Sequence, residues 1–586
     1  MTRRQALSLL ACGTLPGRAQ QTRGMASREV KPTPLGKPSG RPWDARFINV
    51  AQSAGLRAPV IYGNPAHTDY ALEAMGCGAA FLDFDNDGWL DILLLTGRRL
   101  TETPSGATLR LYRNNRDGSF SEVTERAGLG QSVWATGITV ADYDNDGFDD
   151  IFITCWGQNL LLHNNGDGSF TDVTAKAGLT HPGVRYGSGC TWIDYDRDGR
   201  LDLFVSHYLV FDPAKAAPRG KDPGCSYLGV PVFCGPSGFA QESCRLYHNN
   251  GDGTFTDVSE KSGIAAVKPG YALTAVAADL DGDGWPDLYV ACDTSPSLLF
   301  HNNRDGTFTE QGLEAGVSLS EDGQEQAGMG VAIGDFDTDG HLDIFKTHFR
   351  ADTNVLYRNN GKGYFRDATI RSGLGVETRY VGWGAGIVDL DNDGLPDLMF
   401  TTGMVYPEVE QKSKDAAYKT PGVIFRNLGD GKFEELRDQA GPGIAETHSS
   451  RGAAFGDFDN DGDIDILVVN LNEPPSLLRN DLAGANHWLK VQLIGVASNR
   501  SAIGAQVIAR YGGRIQAQAV LAQSSYLSVS DRRLHFGLGA ATSASLEIRW
   551  PNGAVEKIAD VTAGQLVVIR EGEGIVRRQP MGPPAR

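Results

Sequence analysis

Short apolar runs broken by turn residues recur along most of the chain. "DILLL" from Asp91, "DIFIT" from Asp150 and "DLFVS" from Asp202 are too short for helices and have the length of buried strands. Runs of small residues precede such segments, as in "GCGAAF" from Gly76, "GSGCTW" from Gly187 and "GMGVAI" from Gly328. A third pattern follows: "LYRNNRDGSFSEVTERAGL" from Leu111, "LLHNNGDGSFTDVTAKAGL" from Leu161, "LYHNNGDGTFTDVSEKSGI" from Leu246 and "LFHNNRDGTFTEQGLEAGV" from Leu299. Asp-Gly between two alternating runs predicts a hairpin, because its turn needs positive φ at both central residues. Each unit therefore reads as four short strands.

Aspartates mark the turn between the first two strands of every unit. The pattern D-x-D-x-D-G-x-x-D starts at Asp83, Asp142, Asp194, Asp279, Asp335, Asp389 and Asp457, giving seven copies about fifty-five residues apart. Four-stranded units repeated in this way predict the blades of a β-propeller. Glycine-rich first strands suit the crowded position beside the central channel, where chain must approach chain. "FINVAQSAGL" from Phe47 resembles the tail of a unit without its head, and the last unit stops before such a tail. The N-terminal strand is thus expected to complete the seventh blade and leave no open edge. Residues 210–243 and 403–420 are longer than the repeat requires, and insertions of this kind gather on one face, often a binding face.

Carboxylates at positions 1, 3, 5 and 9, with glycine at 6, form an oxygen-donor pattern. Side chains at 1, 3 and 5 and the carbonyl at 7 would point inward, as in the front half of an EF-hand loop, with the ninth residue supplying the last carboxylate. The predicted ligands are Asp83, Asp85, Asp87, Trp89 and Asp91; Asp142, Asp144, Asp146, Phe148 and Asp150; and Asp194, Asp196, Asp198, Arg200 and Asp202. The fourth and fifth loops supply Asp279, Asp281, Asp283, Trp285 and Asp287, then Asp335, Asp337, Asp339, His341 and Asp343. The last two supply Asp389, Asp391, Asp393, Leu395 and Asp397, then Asp457, Asp459, Asp461, Asp463 and Asp465. Position 7 varies freely, as a carbonyl ligand allows. Hard oxygens in a flexible loop favour Ca²⁺ over zinc or copper, and over Mg²⁺, which keeps its waters. Two carboxylates ~4 Å apart repel by about 4 kcal/mol at an effective dielectric of 20, so four in one loop call for a cation. Up to seven Ca²⁺, one per blade, are expected. Seven near-identical copies argue against catalysis by these residues, because a catalytic pair stands apart from a repeat.

Composition narrows the classes further. A chain of 586 residues with 41% hydrophobic and 22% charged residues is globular and exceeds one ordinary core. The formal charge of −18 argues against nucleic acid, and seven divalent ions would offset most of it. No apolar run is long enough for a transmembrane helix. "MTRRQALSLLACGTLPGRAQQ" has an arginine pair before a short apolar stretch, so residues 1–24 read as an export signal, with lipidation at Cys12 a weaker option. Cys225 and Cys234 share the first insertion, where a disulfide would staple it, with Cys244 a rival partner. Cys155 and Cys292 occupy equivalent strands and read as small buried hydrophobes.

These loops resemble the FG-GAP (VCBS-type) repeats of integrin α-chain propellers. "NHWLKVQLIGVASNRSAIGAQV" from Asn486, "SSYLSVSDRRLHFGLG" from Ser524 and "IRWPNGAVEKIADVTAGQLVVI" from Ile548 look like the ASPIC/UnbV domain. The combination resembles the cartilage acidic protein family, and "GVPVFCGPSGF" from Gly229 and "VYPEV" from Val405 look like its insertions. Met404 and Cys244 depart from that pattern. The resemblance implies calcium binding, a secreted or surface location, and adhesion or matrix contact in the animal members. The expected fold is all-β: a seven-bladed propeller at 44–482, a small β-sandwich at 483–572 and a loose tail at 573–586. In the sandwich, His487, His535, Arg549 and Trp550 either pack a core or form a ligand patch. The functional expectation is an exported, periplasmic or surface scaffold for an unidentified protein or glycan. Its rival is a polysaccharide lyase or hydrolase on the insertion-bearing face, with Tyr406, Glu408, Glu410 and Tyr418 as candidates. A third reading is an assembly partner for another exported protein.

Overall fold

The computed structural model describes residues 27–412 and 416–581, so the expected export signal at 1–24 and Cys12 lie outside the described residues. The fold is all-β. Among the described residues, the repeats form seven four-stranded antiparallel units, the second and third joined through Arg185–Ile193 against Asp150–Gly157. The seventh unit closes as expected: Phe47–Asn49 pairs antiparallel with Ser476–Asn480, Phe47 opposite Asn480.

First strands are buried over most of their length because each is covered on both sides. Ala135–Ala141 touches Arg185–Ile193, which touches Ala272–Ala278, and the series continues until Ser450–Gly456 meets Ala79–Leu82. Such proximity requires glycine. A Cβ on Gly189 would run into the Leu273 carbonyl, and one on Gly330 into that of Trp383.

The C-terminal region forms two four-stranded sheets. One carries His487–Ile494 between Leu534–Gly539 and Gln565–Arg570; the other carries Gln506–Tyr511 between Arg514–Ala519 and Ser543–Arg549. Val491, Val507, Phe536, Ile548 and Val567 share a core that continues into Tyr143 and Trp192 of the repeats. The tail corrects an expectation: residues 574–580 are not loose but form a strand, Gly574–Pro580, paired with Gln565–Arg570. Its backbone groups complete a sheet edge although most of its side chains face solvent.

Residues 522–530 leave the C-terminal sheets and fill the centre of the ring of first strands. Val529 bridges to Ala80 and Ser525 to Val331, while Ser525 Oγ accepts from Ala385 N (2.9 Å) and Gln523 Oε1 from Cys190 N (3.2 Å). Tyr526 is fully buried, its ring centroid 4.9 Å from that of Trp383, and its hydroxyl donates to the Met75 carbonyl (3.0 Å). Tyr526→Phe leaves that buried carbonyl without its donor and is expected to cost about 1–3 kcal/mol, read as a shift of the urea midpoint.

The insertions meet on the side of the units away from the aspartate loops. Tyr406 lies 4.7 Å from Phe233 and 5.6 Å from Tyr227 between ring centroids, and Cys225 is disulfide-bonded to Cys234. Cys155, Cys244 and Cys292 are free and buried.

Candidate metal loops and the face that covers them

Five of the seven aspartate loops share one hydrogen-bond pattern, and the third and fourth vary it at position 1. In the first, Asp83 Oδ1 accepts from Asp87 N (2.9 Å) and Oδ2 from Gly88 N (2.8 Å), while Asp87 Oδ1 accepts from Trp89 N (3.0 Å). Asp91, at the head of the second strand, accepts from Phe84 N (3.3 Å) and Asn114 N (2.7 Å). Asp335 and Asp339 repeat the first pattern, as do Asp389 and Asp393. Two residues per loop take positive φ: the glycine at position 6 and the residue at position 4, as with Gly88 (86°) and Asn86 (56°). Asparagine tolerates that conformation, and position 4 is Asn in four loops.

In the first loop the carboxylates predicted at positions 1, 3 and 9 come together, while in the second, third and fourth those at positions 3 and 5 converge with His163, His248 and His301. Asp83, Asp85 and Asp91 offer oxygens within 4.8 Å of one another. Oδ1 atoms of Asp85, Asp194, Asp196, Asp337 and Asp459 are buried without a hydrogen-bond partner. Burial pushes Asp83 up to about 6 and Asp142, Asp194, Asp279 and Asp335 up to about 7. Burial likewise lifts Asp91 to about 8 and Asp150 and Asp202 to about 7, with neighbouring loop carboxylates adding repulsion. Asp343, Asp389, Asp397 and Asp465 lie well above the ordinary range for the same cause.

Two features escape a reading of the loops alone. The first is a basic residue from the third strand. Arg113 Nε lies 2.6 Å from Asp85, Arg358 Nη2 lies 2.9 Å from Asp339, and His163, His248 and His301 lie 3.1, 3.0 and 3.2 Å from Asp150, Asp202 and Asp287. The available signal was the Arg or His that precedes each Asn-Asn pair. The second is a ring of asparagine staples. Asn164 Nδ2 donates to its own loop at Asp149 O (3.1 Å) and to the preceding one at Phe84 O (2.9 Å). Asn249, Asn302, Asn359 and Asn427 do the same, and Asn114 reaches Phe458 O (2.9 Å), which closes the series from the seventh unit to the first.

Family models match this division of the chain. The FG-GAP-like repeat covers residues 83–153, 144–205, 232–290, 279–345 and 416–468, and the ASPIC and UnbV model covers 495–576. The chain therefore combines FG-GAP-like repeats with an ASPIC and UnbV region. Cartilage acidic protein 1 of Mus musculus is 25% identical over 517 residues, spanning 84% of this chain and 71% of that protein. The Homo sapiens protein of the same name is 25% identical over 535 residues, spanning 87% and 72%. Among solved structures, an Agrocybe aegerita lectin that recognises non-reducing terminal N-acetylglucosamine is 18% identical, covering 68% of this chain and 86% of that one, with a TM-score of 0.38. Bacillus licheniformis rhamnogalacturonan lyase is 12% identical, covering 74% and 75%, with a TM-score of 0.33.

The ASPIC and UnbV region lies over the aspartate loops. Ala517 N donates to Asp335 Oδ2 (3.0 Å), Ser501 Oγ accepts from Asp142 N (3.0 Å), and Arg514 donates to the Asp393 carbonyl (2.7 Å). Lys490 and Asp457 pair at 2.6 Å, both fully buried. His535 Nε2 meets Asn392 Oδ1 at 2.6 Å, Trp550 is buried in the core, and Arg549 pairs with Glu547. Of the predicted group, His535 docks and Trp550 packs, whereas Arg549 is half-exposed and His487 is exposed. On the opposite side, Tyr406 is buried in the aromatic cluster, Glu408 lies 3.8 Å from Arg219 with its carboxyl raised by burial, and Glu410 is exposed. Among the described residues, no helix is long and apolar enough to cross a membrane.

Proposed function

We propose that this protein is an exported calcium-binding scaffold: a closed seven-bladed β-propeller carrying a C-terminal β-sandwich, with one Ca²⁺ in each aspartate loop. The carrying observation is the donor set itself: converging buried carboxylates, several with unpartnered oxygens, held by backbone N–H groups rather than by enough cations. The residues fit a hard divalent ion. Positions 1, 3, 5 and 9 would supply carboxylate oxygens and position 7 its carbonyl, in all seven loops. Bound calcium would neutralise each loop and tie the turn to the second strand. With the asparagine staples running from unit to unit, rigidity in one loop would support its neighbours, which suits a scaffold that presents a surface to a protein or glycan. Asp337→Ala tests the independence of the sites. It is expected to remove one ion from the calcium count by elemental analysis and leave the others; loss of all ions together would sink the reading of one site per unit.

A further inference from the structure

A cleft of about 360 Å³ opens between the first two aspartate loops and the C-terminal sheets, at the small end of the range of about 300–1,000 Å³ for ligand sites. Neither motif family explains its lining. Trp89 of the first loop, Arg500 and Arg532 line it together with Gln492, Arg577 and Gln579 of a single C-terminal sheet, so the loops, the docked sheets and the terminal strand all contribute. The carboxylates on its walls are already engaged. Asp83 and Asp142 accept from their own loop backbones, Asp149 is held by Arg532 (2.6 Å), and Asp531 by Arg533 (2.9 Å).

The guanidinium groups are not equally engaged. The Arg577 side chain, on the exposed strand Gly574–Pro580, has no hydrogen-bond or ion-pair partner among the described residues. Arg500 is half exposed and comes no nearer than 3.7 Å to Asp142. Nη1 of Arg532 is buried without a partner. Trp89 is partly exposed, and its indole N–H makes no hydrogen bond among the described residues.

We infer that this cleft binds an acidic saccharide unit, a uronate, with its carboxylate on Arg500 and Arg577 and its ring against Trp89. Guanidinium forks match a carboxylate bidentately, which supplies both charge and direction. Gln492 and Gln579 carry amides that both donate and accept, as a ring of hydroxyls requires. The inference rests on the scaffold reading, because calcium in the first two loops would cancel the negative charge of the cleft floor and leave the arginines dominant.

The test is calorimetric titration of the full chain in calcium with an oligoglucuronate, a neutral cello-oligosaccharide and inorganic phosphate, with calcium counted on the same samples. The oligoglucuronate is expected to bind at least tenfold more tightly than either comparator, and more weakly as salt rises. Arg577→Gln and Arg500→Gln are each expected to weaken it about tenfold, and Trp89→Ala likewise, with unchanged melting temperatures for Arg577→Gln. No uronate binding, equal binding of the neutral sugar, binding of phosphate as tight as that of the uronate, or full affinity in both arginine variants would each overturn the inference. Any of these with a full complement of calcium leaves the scaffold reading standing, whereas missing calcium overturns that reading first.

Discussion

Stripping calcium with EGTA, followed by desalting, is expected to lower the melting temperature at pH 8 by about 10–20 °C. At a free calcium concentration 100 times Kd, each site contributes about 2.7 kcal/mol, and about 1 kcal/mol moves the midpoint of a large domain by a few degrees or less. The drop should also depend on pH. Without the ion, burial holds the position 1 and position 9 carboxyls above their ordinary value, at about 6 to 8 in the first loops. A carboxyl whose folded pKa is raised favours the folded state while it is protonated, and loses that contribution as pH rises through the folded value. The metal-free protein should therefore melt at a lower temperature at pH 8 than at pH 5. The calcium-loaded protein should not follow, since the ion replaces the proton. Calorimetric scans of both forms at the two pH values decide the matter, and identical curves with and without calcium would refute the metal reading.

Lys490→Met is expected to destabilise the metal-free protein by about 3–5 kcal/mol, because it leaves the buried Asp457 carboxylate without its cation. The substitution keeps the length and apolar stem of the side chain, so lost packing contributes little. The cost should be smaller in calcium, where the ion in the seventh loop would share the charge of Asp457. The double variant Lys490→Met with Asp457→Asn should lose less than the single one when both are measured without calcium, since no buried charge remains unpaired. Urea midpoints of the three proteins give the comparison. A loss below about 1 kcal/mol for Lys490→Met would show that this pair does not hold the C-terminal sheets on the repeats.

The aspartate loops were legible because their geometry is local. Asp83, Asp87 and Gly88 bond one another across a few residues, and the pattern at positions 1, 3, 5, 6 and 9 records those bonds directly. The Asp-Gly hairpins are local too, although positive φ falls on Arg116 and Gly118 and not on Asp117 as the turn type expected from Asp-Gly would have it. The spare strand "FIN" could be matched to a missing unit end because a repeat makes its own gaps visible. Pairing of Cys225 with Cys234 lay within one insertion. By contrast, the His487, His535, Arg549 and Trp550 group could not be resolved into patch or packing, because burial depends on what covers each side chain.

An all-β repeat with seven acidic loops is readable from the chain alone, since short-range hydrogen bonds and a fixed period carry that information. What fills the ring and what covers the loops emerges only when distant segments come together. Tyr526 meets Met75 across 451 residues, Lys490 meets Asp457 across 33, and Arg577 comes to line a cleft with Trp89. No periodicity links such pairs. They are set by how two sheets and a ring dock, and docking selects partners by shape and buried charge summed over the whole interface, which no short stretch of chain encodes.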